Sequence, residues 1–486
     1  MQTVPNLIAG EWRVTEGPVE DIPNPATGEV IAELPHATAA DIDAAVAAAR
    51  KAQPAWGDMA IPDRAQVLFR FKQVLEEHLE ELAQLMTREN GKTLVESRGD
   101  VRRGIDVVDF ACGAPTLLMG TNLDQIASGI DMELSRFPVG VVAGITPFNF
   151  PVMIPLWMMA PALAAGNAFI LKPSQRTPLS AVRLVELARE AGFPDGVVQL
   201  VHGAKDAVDM LLAHPGVDAV SVVGSAPVAR YIYETGASYG KRVQGLGGAK
   251  NWLVVMSDAE LEATLDAMLF SSFGMAGQRC LAGSVAVGVG KIGEVLAREV
   301  ASAADKLRVG PGTEDVDYGP VIRDERKKEL LGYIEQGLET GATLVRDGRD
   351  LADRPGFFLG PTVFDQVQPD THLWRDELFG PVLSCTRASD LDEALKLMNA
   401  SSYGNMACIF TTSGESARKF RRYAEAGMIG VNIGVAAPMA FFPFCGWKGS
   451  FYGDLHAQGV DGFRFYTRVK MTTTRWFEHE VEGRLR

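Results

Sequence analysis

Apolar residues recur at helical spacing through the first quarter of the chain, then give way to short β-branched runs alternating with helical ones. Ala37–Arg50 is alanine-rich with an acidic first turn, the pattern of an amphipathic helix. A helical period continues over Pro62–Asn90, with Leu68, Phe71, Val74, Leu75 and Leu79 on one face, and another helix is predicted over Val101–Phe110. Beyond these, Val198–Val201, Ala219–Val223 and Trp252–Met256 read as strands. The helical stretches Ala204–Ala213, Ala226–Thr235 and Glu260–Phe273 lie between or after them. A second alternating block runs from Val285 to Phe410. Such alternation predicts an α/β protein with parallel sheets and helices on both faces. The stretch Phe463–Phe477 is β-branched and aromatic with interspersed charge, and predicts an exposed strand able to pair with another subunit.

One uncharged stretch needs separating from a membrane span. No charged residue occurs between Arg136 and Lys172. Pro138, Pro147, Pro151, Pro155 and Pro161 punctuate it, and proline breaks helix interiors. It reads as a strand at Gly140–Ile145, a buried helix at Pro151–Ala165 and a strand at Ala168–Leu171, with no membrane span expected.

The formal net charge is −14, with Lys and Arg spread along the chain, which disfavours nucleic acid and anionic membranes as partners. The five cysteines share no metal-type spacing and read as thiols in a reducing compartment. No zinc site is expected from them or from the scattered histidines. The N-terminus shows no signal peptide, so a cytoplasmic location is expected.

Three segments suggest a nucleotide cleft. Ala219-Val-Ser-Val-Val-Gly224-Ser225 opens the helix from Ala226, and a helix N-terminus offers free N–H groups to a phosphate. The same segment also fits an ordinary turn with Ser225 as a cap. Lys172-Pro-Ser174-Gln175-Arg176 places a lysine at a strand end, within reach of a ribose hydroxyl. Glu377-Leu-Phe379-Gly-Pro puts a carboxylate before a stiff turn, a pattern that a solvated acid at a loop start fits equally well.

The candidate nucleophile is Cys280 in Gly277-Gln-Arg-Cys280. A thiolate is needed, and free cysteine titrates at about pH 8.5, so its surroundings must favour the anion. No histidine neighbours it in sequence to make a protease-like pair.

In order, Pro147-Phe148-Asn149-Phe-Pro, Lys172-Pro-Ser, Val223-Gly-Ser225, Leu246-Gly-Gly, Gly277-Gln-Arg-Cys280 and Glu377-Leu-Phe-Gly-Pro resemble the signature set of the aldehyde dehydrogenase superfamily. Gly248-Ala-Lys-Asn251, Gly277-Gln-Arg-Cys280 and Pro438–His456 are similar to its CoA-acylating methylmalonate-semialdehyde dehydrogenase branch. The resemblance implies an aldehyde dehydrogenase-like fold in three parts. A Rossmann-type nucleotide domain takes residues 1–123 and 143–248, with 443–459 returning to it. An α/β catalytic domain takes 249–442, and a small β oligomerisation element 124–142 and 460–486.

It also implies roles. Cys280 attacks the aldehyde, and the Asn149 side chain with the Cys280 N–H holds the alkoxide. Phe148, Lys172, Ser174, Gln175, Arg176, Gly224, Ser225, Glu377 and Phe379 bind NAD. Arg103 and Arg279 hold a substrate carboxylate, although Arg102 competes with Arg103 for that role. The expected activity is oxidation of malonate or methylmalonate semialdehyde to acetyl-CoA or propionyl-CoA, with coenzyme A as cosubstrate, in a homodimer or homotetramer.

Two departures bear on this. Gly245 precedes Leu246 where hydrolytic relatives carry a water-activating glutamate, so a thioester waits for a thiol. Gln175 stands where many relatives carry glutamate, which leaves NADP as a possible cofactor. A hydrolytic enzyme releasing a free acid is the alternative, and a non-catalytic protein that kept the fold a more distant one. Trp252 and Cys445 also depart from the pattern and suggest no function.

Overall fold

The computed structural model describes residues 2–477. Thr38 caps the first long helix, Ala39–Asp58, in a reciprocal capping box with Asp41. The helical period expected over Pro62–Asn90 is present but broken at His78, giving Ile61–Glu77 and Leu79–Asn90. The latter stops at Gly91, whose φ of +88° suits glycine. The helix expected at Val101–Phe110 is longer, Leu94–Cys112, and starts at a second capping box, Thr93 with Glu96. Its first turns are polar on the outward face, which hid them from the apolar period.

Two sheets carry the architecture. The first has a parallel core in the order Arg242–Leu246, Ala219–Val223, Val141–Ile145, Ala168–Lys172, Val198–Leu200. The second is seven-stranded and parallel except at one edge. Its central strands are Gly283–Val289 and Asn251–Met256. The uncharged stretch forms the expected strand, helix and strand, and every residue of the helix Met153–Ala164 is buried. No helix among the described residues is long and apolar enough to cross a membrane.

A third, antiparallel sheet joins Thr121–Ala127, Ile130–Pro138 and Thr467–Arg475. The strand expected over Phe463–Phe477 is therefore shorter. Gly459–Phe465 is helical, because Phe463, Phe465 and Tyr466 are drawn into the core. Thr121–Ala127 crosses residue 123, the boundary expected for the nucleotide domain. Residues 478–486 of the expected oligomerisation element lie outside the described residues.

Candidate active site

Cys280 ends a strained loop and precedes the strand Gly283–Val289. Met275, Ala276 and Gly277 have φ of +53°, +52° and +69°, a left-handed run in which non-glycine residues cost about 1–3 kcal/mol each. The loop is held from outside. Glu96 accepts the Met275 N–H at 2.6 Å, and a side chain at Gly277 would collide with the Gly380 carbonyl. The Cys280 carbonyl accepts from two amides, Asn251 at 2.9 Å and Asn405 at 2.8 Å.

Cys280 lines a cleft of about 740 Å³ that runs between the two large sheets. Asn149, Lys172, Gly224, Glu377 and Phe379 share its wall with Cys280. Phe148, Ser174, Gln175, Arg176 and Ser225 line it as well, so the expected nucleophile, oxyanion donor and nucleotide residues converge on one space. Burial pushes the Cys280 thiol up to about 12, and the nearby Glu377 charge adds to that rise. Glu377 is itself pushed up to about 7 by burial, and it accepts the Ala249 N–H at 3.0 Å.

Asn149 donates its amide to the Gln278 carbonyl at 3.0 Å, which ties it to the loop carrying Cys280. Its own segment is clamped by residues that sequence reasoning missed. Asn90 donates to the Phe148 carbonyl at 2.9 Å, and Lys92 to the Asn149 carbonyl at 2.7 Å. Asp100 bonds Lys92 at 2.8 Å and accepts the Met153 N–H at 2.7 Å. The run Glu89-Asn-Gly-Lys92 at a helix end carried a weak signal; Asn405 carried none.

The nucleotide wall fits a phosphate-bearing ligand. The Ser225 hydroxyl makes no cap bond to the helix Ala226–Ser238, so the ordinary-cap alternative is not realised. That helix start borders the cleft through Gly224, Ser225, Pro227 and Val228, and the first N–H groups of a helix have no intrahelical partner. Lys172 is buried and donates one bond, to the Gly203 carbonyl at 2.7 Å. An ammonium has three donors, which leaves two for a ligand. Phe148 and Phe379 meet edge to face, 5.9 Å between centroids.

The two arginines do not line this cleft. Arg279 turns into the end of the helix Leu261–Phe273, donating to the Phe270 and Ser271 carbonyls and lying over the Phe270 ring. Helix C-termini attract cations. Its Nε is buried without a partner, so the guanidinium keeps an unused donor. Arg103 reaches across to the Pro438 carbonyl and the Met439 sulfur.

Gly245 also stands off the cleft. A side chain there would meet the Ala229 carbonyl and Tyr452. Leu246 points to the opposite face of the strand, and Gln244 is tied to Ser221 and the Leu455 carbonyl. No residue from 244 to 251 carries a carboxylate. Trp252 packs edge-on against Trp374 at 4.9 Å, and Cys445 is half-buried.

A buried cysteine, a clamped asparagine and a cation-bearing wall share one cleft between two α/β sheets, the arrangement expected of an aldehyde-oxidising scaffold. The chain belongs to the aldehyde dehydrogenase family, which it matches over residues 12–472. It is 54% identical to malonate-semialdehyde dehydrogenase 1 of Geobacillus thermodenitrificans, covering 98% of this chain and 99% of the relative. It is 52% identical to the malonate-semialdehyde dehydrogenase of Halalkalibacterium halodurans, over 97% and 98%. The methylmalonate-semialdehyde dehydrogenase structure from Oceanimonas doudoroffii superposes with a TM-score of 0.97 at 45% identity, covering 99% of this chain and 100% of that one. A Sinorhizobium meliloti protein assigned to the same activity and solved with NAD gives 0.97 at 45%, covering 99% of each.

Proposed function

We propose that the protein oxidises malonate or methylmalonate semialdehyde to acetyl-CoA or propionyl-CoA, through a thioester on Cys280, with NAD as oxidant. The observation that carries this reading is a nucleophile facing a cleft to which the segment 244–251 contributes no carboxylate. The names of the relatives support the substrate class.

The Cys280 thiolate adds to the aldehyde carbon, forming a C–S bond and an alkoxide. The Asn149 amide leaves the Gln278 carbonyl to donate to that oxygen, joined by the Cys280 N–H. Losing one such donor costs about 10²–10³ in rate. Bound NAD supplies the acceptor for the hydride that leaves the carbon, and a thioester remains. Lys172, Ser225, the helix start at Ala226 and Glu377 would hold the dinucleotide. The carboxylate of the acyl chain lies β to the thioester carbonyl. Its C–C bond breaks to release CO₂, and the electron pair moves onto the thioester before protonation. The thiolate of CoA then attacks the thioester and Cys280 leaves.

Arg103 and Arg279 hold the substrate carboxylate before that loss. Each now donates to carbonyl oxygens, which a carboxylate outcompetes through paired, charge-assisted bonds.

A hydrolytic reading has one observation in its favour. Glu377 is a carboxylate on the same cleft, poised at about 7, where a general base works best. NADH formation from malonate semialdehyde with and without CoA separates the two.

We also infer a homodimer or homotetramer formed through the third sheet. Its two outer strands expose Leu123, Ile126, Val469 and Met471. We assign the protein to the cytoplasm, where its five unpaired cysteines stay reduced.

A further inference from the structure

The part of the cleft lined by Lys172, Gln175, Arg176 and Lys205 is rich in cations and has no carboxylate of its own at position 175. An acid reaches it from elsewhere. Glu20, on the strand Val19–Pro23, accepts from Arg176 Nη1 at 3.0 Å with Oε1, and its Oε2 lies 3.4 Å from His36 Nε2. Both partners are sheltered, with side-chain exposures of 25% for Arg176 and 29% for Glu20. The same carboxylate is close enough to Lys172 to favour its charged form. Lys205 is occupied separately, by Asp209 and the Tyr231 hydroxyl. Arg176 is therefore the cation best able to receive an additional phosphate on a nucleotide held at Lys172, and Glu20 engages it.

We propose that Glu20 is a specificity-determining residue, which selects a dinucleotide lacking a 2′-phosphate by neutralising Arg176 and by opposing a second anion beside Lys172. The proposal rests on the nucleotide reading of the cleft. It makes the neutral Gln175 compatible with NAD preference, because the missing carboxylate is supplied from a distant strand. A 2′-phosphate entering the site would have to part Arg176 from Glu20 and would leave that carboxylate facing the phosphate.

The test is binding of two probes, ADP and 2′,5′-ADP, measured by isothermal titration on the full-length protein. Glu20→Gln keeps the shape and removes the charge. It should tighten 2′,5′-ADP by about tenfold or more, the scale of a freed charge-assisted contact, with ADP affinity unchanged. Unchanged ADP binding also reports an intact site. The gain should vanish in the double variant Glu20→Gln/Arg176→Ala. Steady-state preference for NADP over NAD should rise in the single variant in parallel. An unaltered 2′,5′-ADP affinity in Glu20→Gln, or a gain that survives loss of Arg176, overturns the role of Glu20. Failure of both probes to bind any form would instead overturn the nucleotide reading, and the proposal with it.

Discussion

Lys92 and Asp100 form an ion pair closed to solvent, with Nζ and Oδ2 2.8 Å apart and side-chain exposures of 1% and 0%. Both ends bond onward into the segment that carries Asn149, at the Asn149 carbonyl and the Met153 N–H. A buried pair of this kind contributes little net stability but is costly to break, at about 3–5 kcal/mol when one partner is removed. Through those bonds the pair fixes the segment whose Asn149 amide reaches the Gln278 carbonyl in the Cys280 loop. Lys92→Met should lower Tm and slow the pre-steady-state NADH burst far more than it weakens NAD binding. A Lys92→Met protein with a wild-type burst rate would make the pair purely structural.

Cys280→Ala should abolish oxidation and leave nucleotide binding intact, because the proposed nucleotide-holding residues Lys172, Ser225 and Glu377 on the same cleft are unchanged by it. Quenching of intrinsic fluorescence by NAD reports binding while NADH absorbance reports turnover. Appreciable turnover in the variant would remove Cys280 from the mechanism.

Substituting Arg103 or Arg279 by Gln should weaken malonate semialdehyde far more than an uncharged aldehyde of similar size. A lost charge-assisted bond is worth roughly 1.5–3 kcal/mol, or about tenfold to over a hundredfold in affinity. The comparison is of kcat/KM for the two substrates. Equal losses would leave both arginines as props for their backbone acceptors, the carbonyls of Pro438 for Arg103 and of Phe270 and Ser271 for Arg279.

Alkylation of Cys280 should be slow in the unliganded protein at neutral pH and rise as the pH climbs, because burial holds the thiol near 12. Glu377 raises that value through its negative charge, so Glu377→Gln should speed alkylation at pH 8 while impairing NAD turnover. Glu377 titrates at about 7, so the difference between variant and wild type should fade as pH falls below that point and the wild-type carboxyl becomes neutral. Saturating NAD, whose nicotinamide is cationic, should accelerate the reaction in the wild type. Iodoacetamide labelling with peptide mapping isolates Cys280 from Cys445 and the three buried thiols. A pH-independent rate, or slower labelling in Glu377→Gln, would contradict this electrostatic account.

Much of the cleft's lining was legible because it lies in short local runs. Gly277-Gln-Arg-Cys280 and Lys172-Pro-Ser sit at strand ends, where side chains project from fixed backbone into the cleft. The alternation of strands and helices likewise announced two parallel sheets. What escaped was carried by long-range pairs. Lys92 meets the Asn149 carbonyl across 57 positions, and Glu20 meets Arg176 across 156. Residues this far apart share no period or spacing. Side-chain direction escaped too. Arg279 adjoins Cys280 in the chain, yet the left-handed turn before it sends the guanidinium into the preceding helix end. Gly245 stands in the sequence where hydrolytic relatives carry a water-activating glutamate. The strand instead points position 245 at Tyr452, so Gly245→Glu would not restore hydrolysis.

The fate of the Cys280 thioester is the central claim, and the product formed with and without CoA tests it most directly. Enzyme, NAD and malonate semialdehyde alone should give a burst of NADH followed by slow release, since a general base typically contributes about 10²–10⁴ in rate and the segment 244–251 supplies none. Adding CoA should make turnover continuous, with acetyl-CoA and CO₂ as products. Free acid formed at the same rate with and without CoA would contradict the account and make Glu377 the leading candidate for the hydrolytic base.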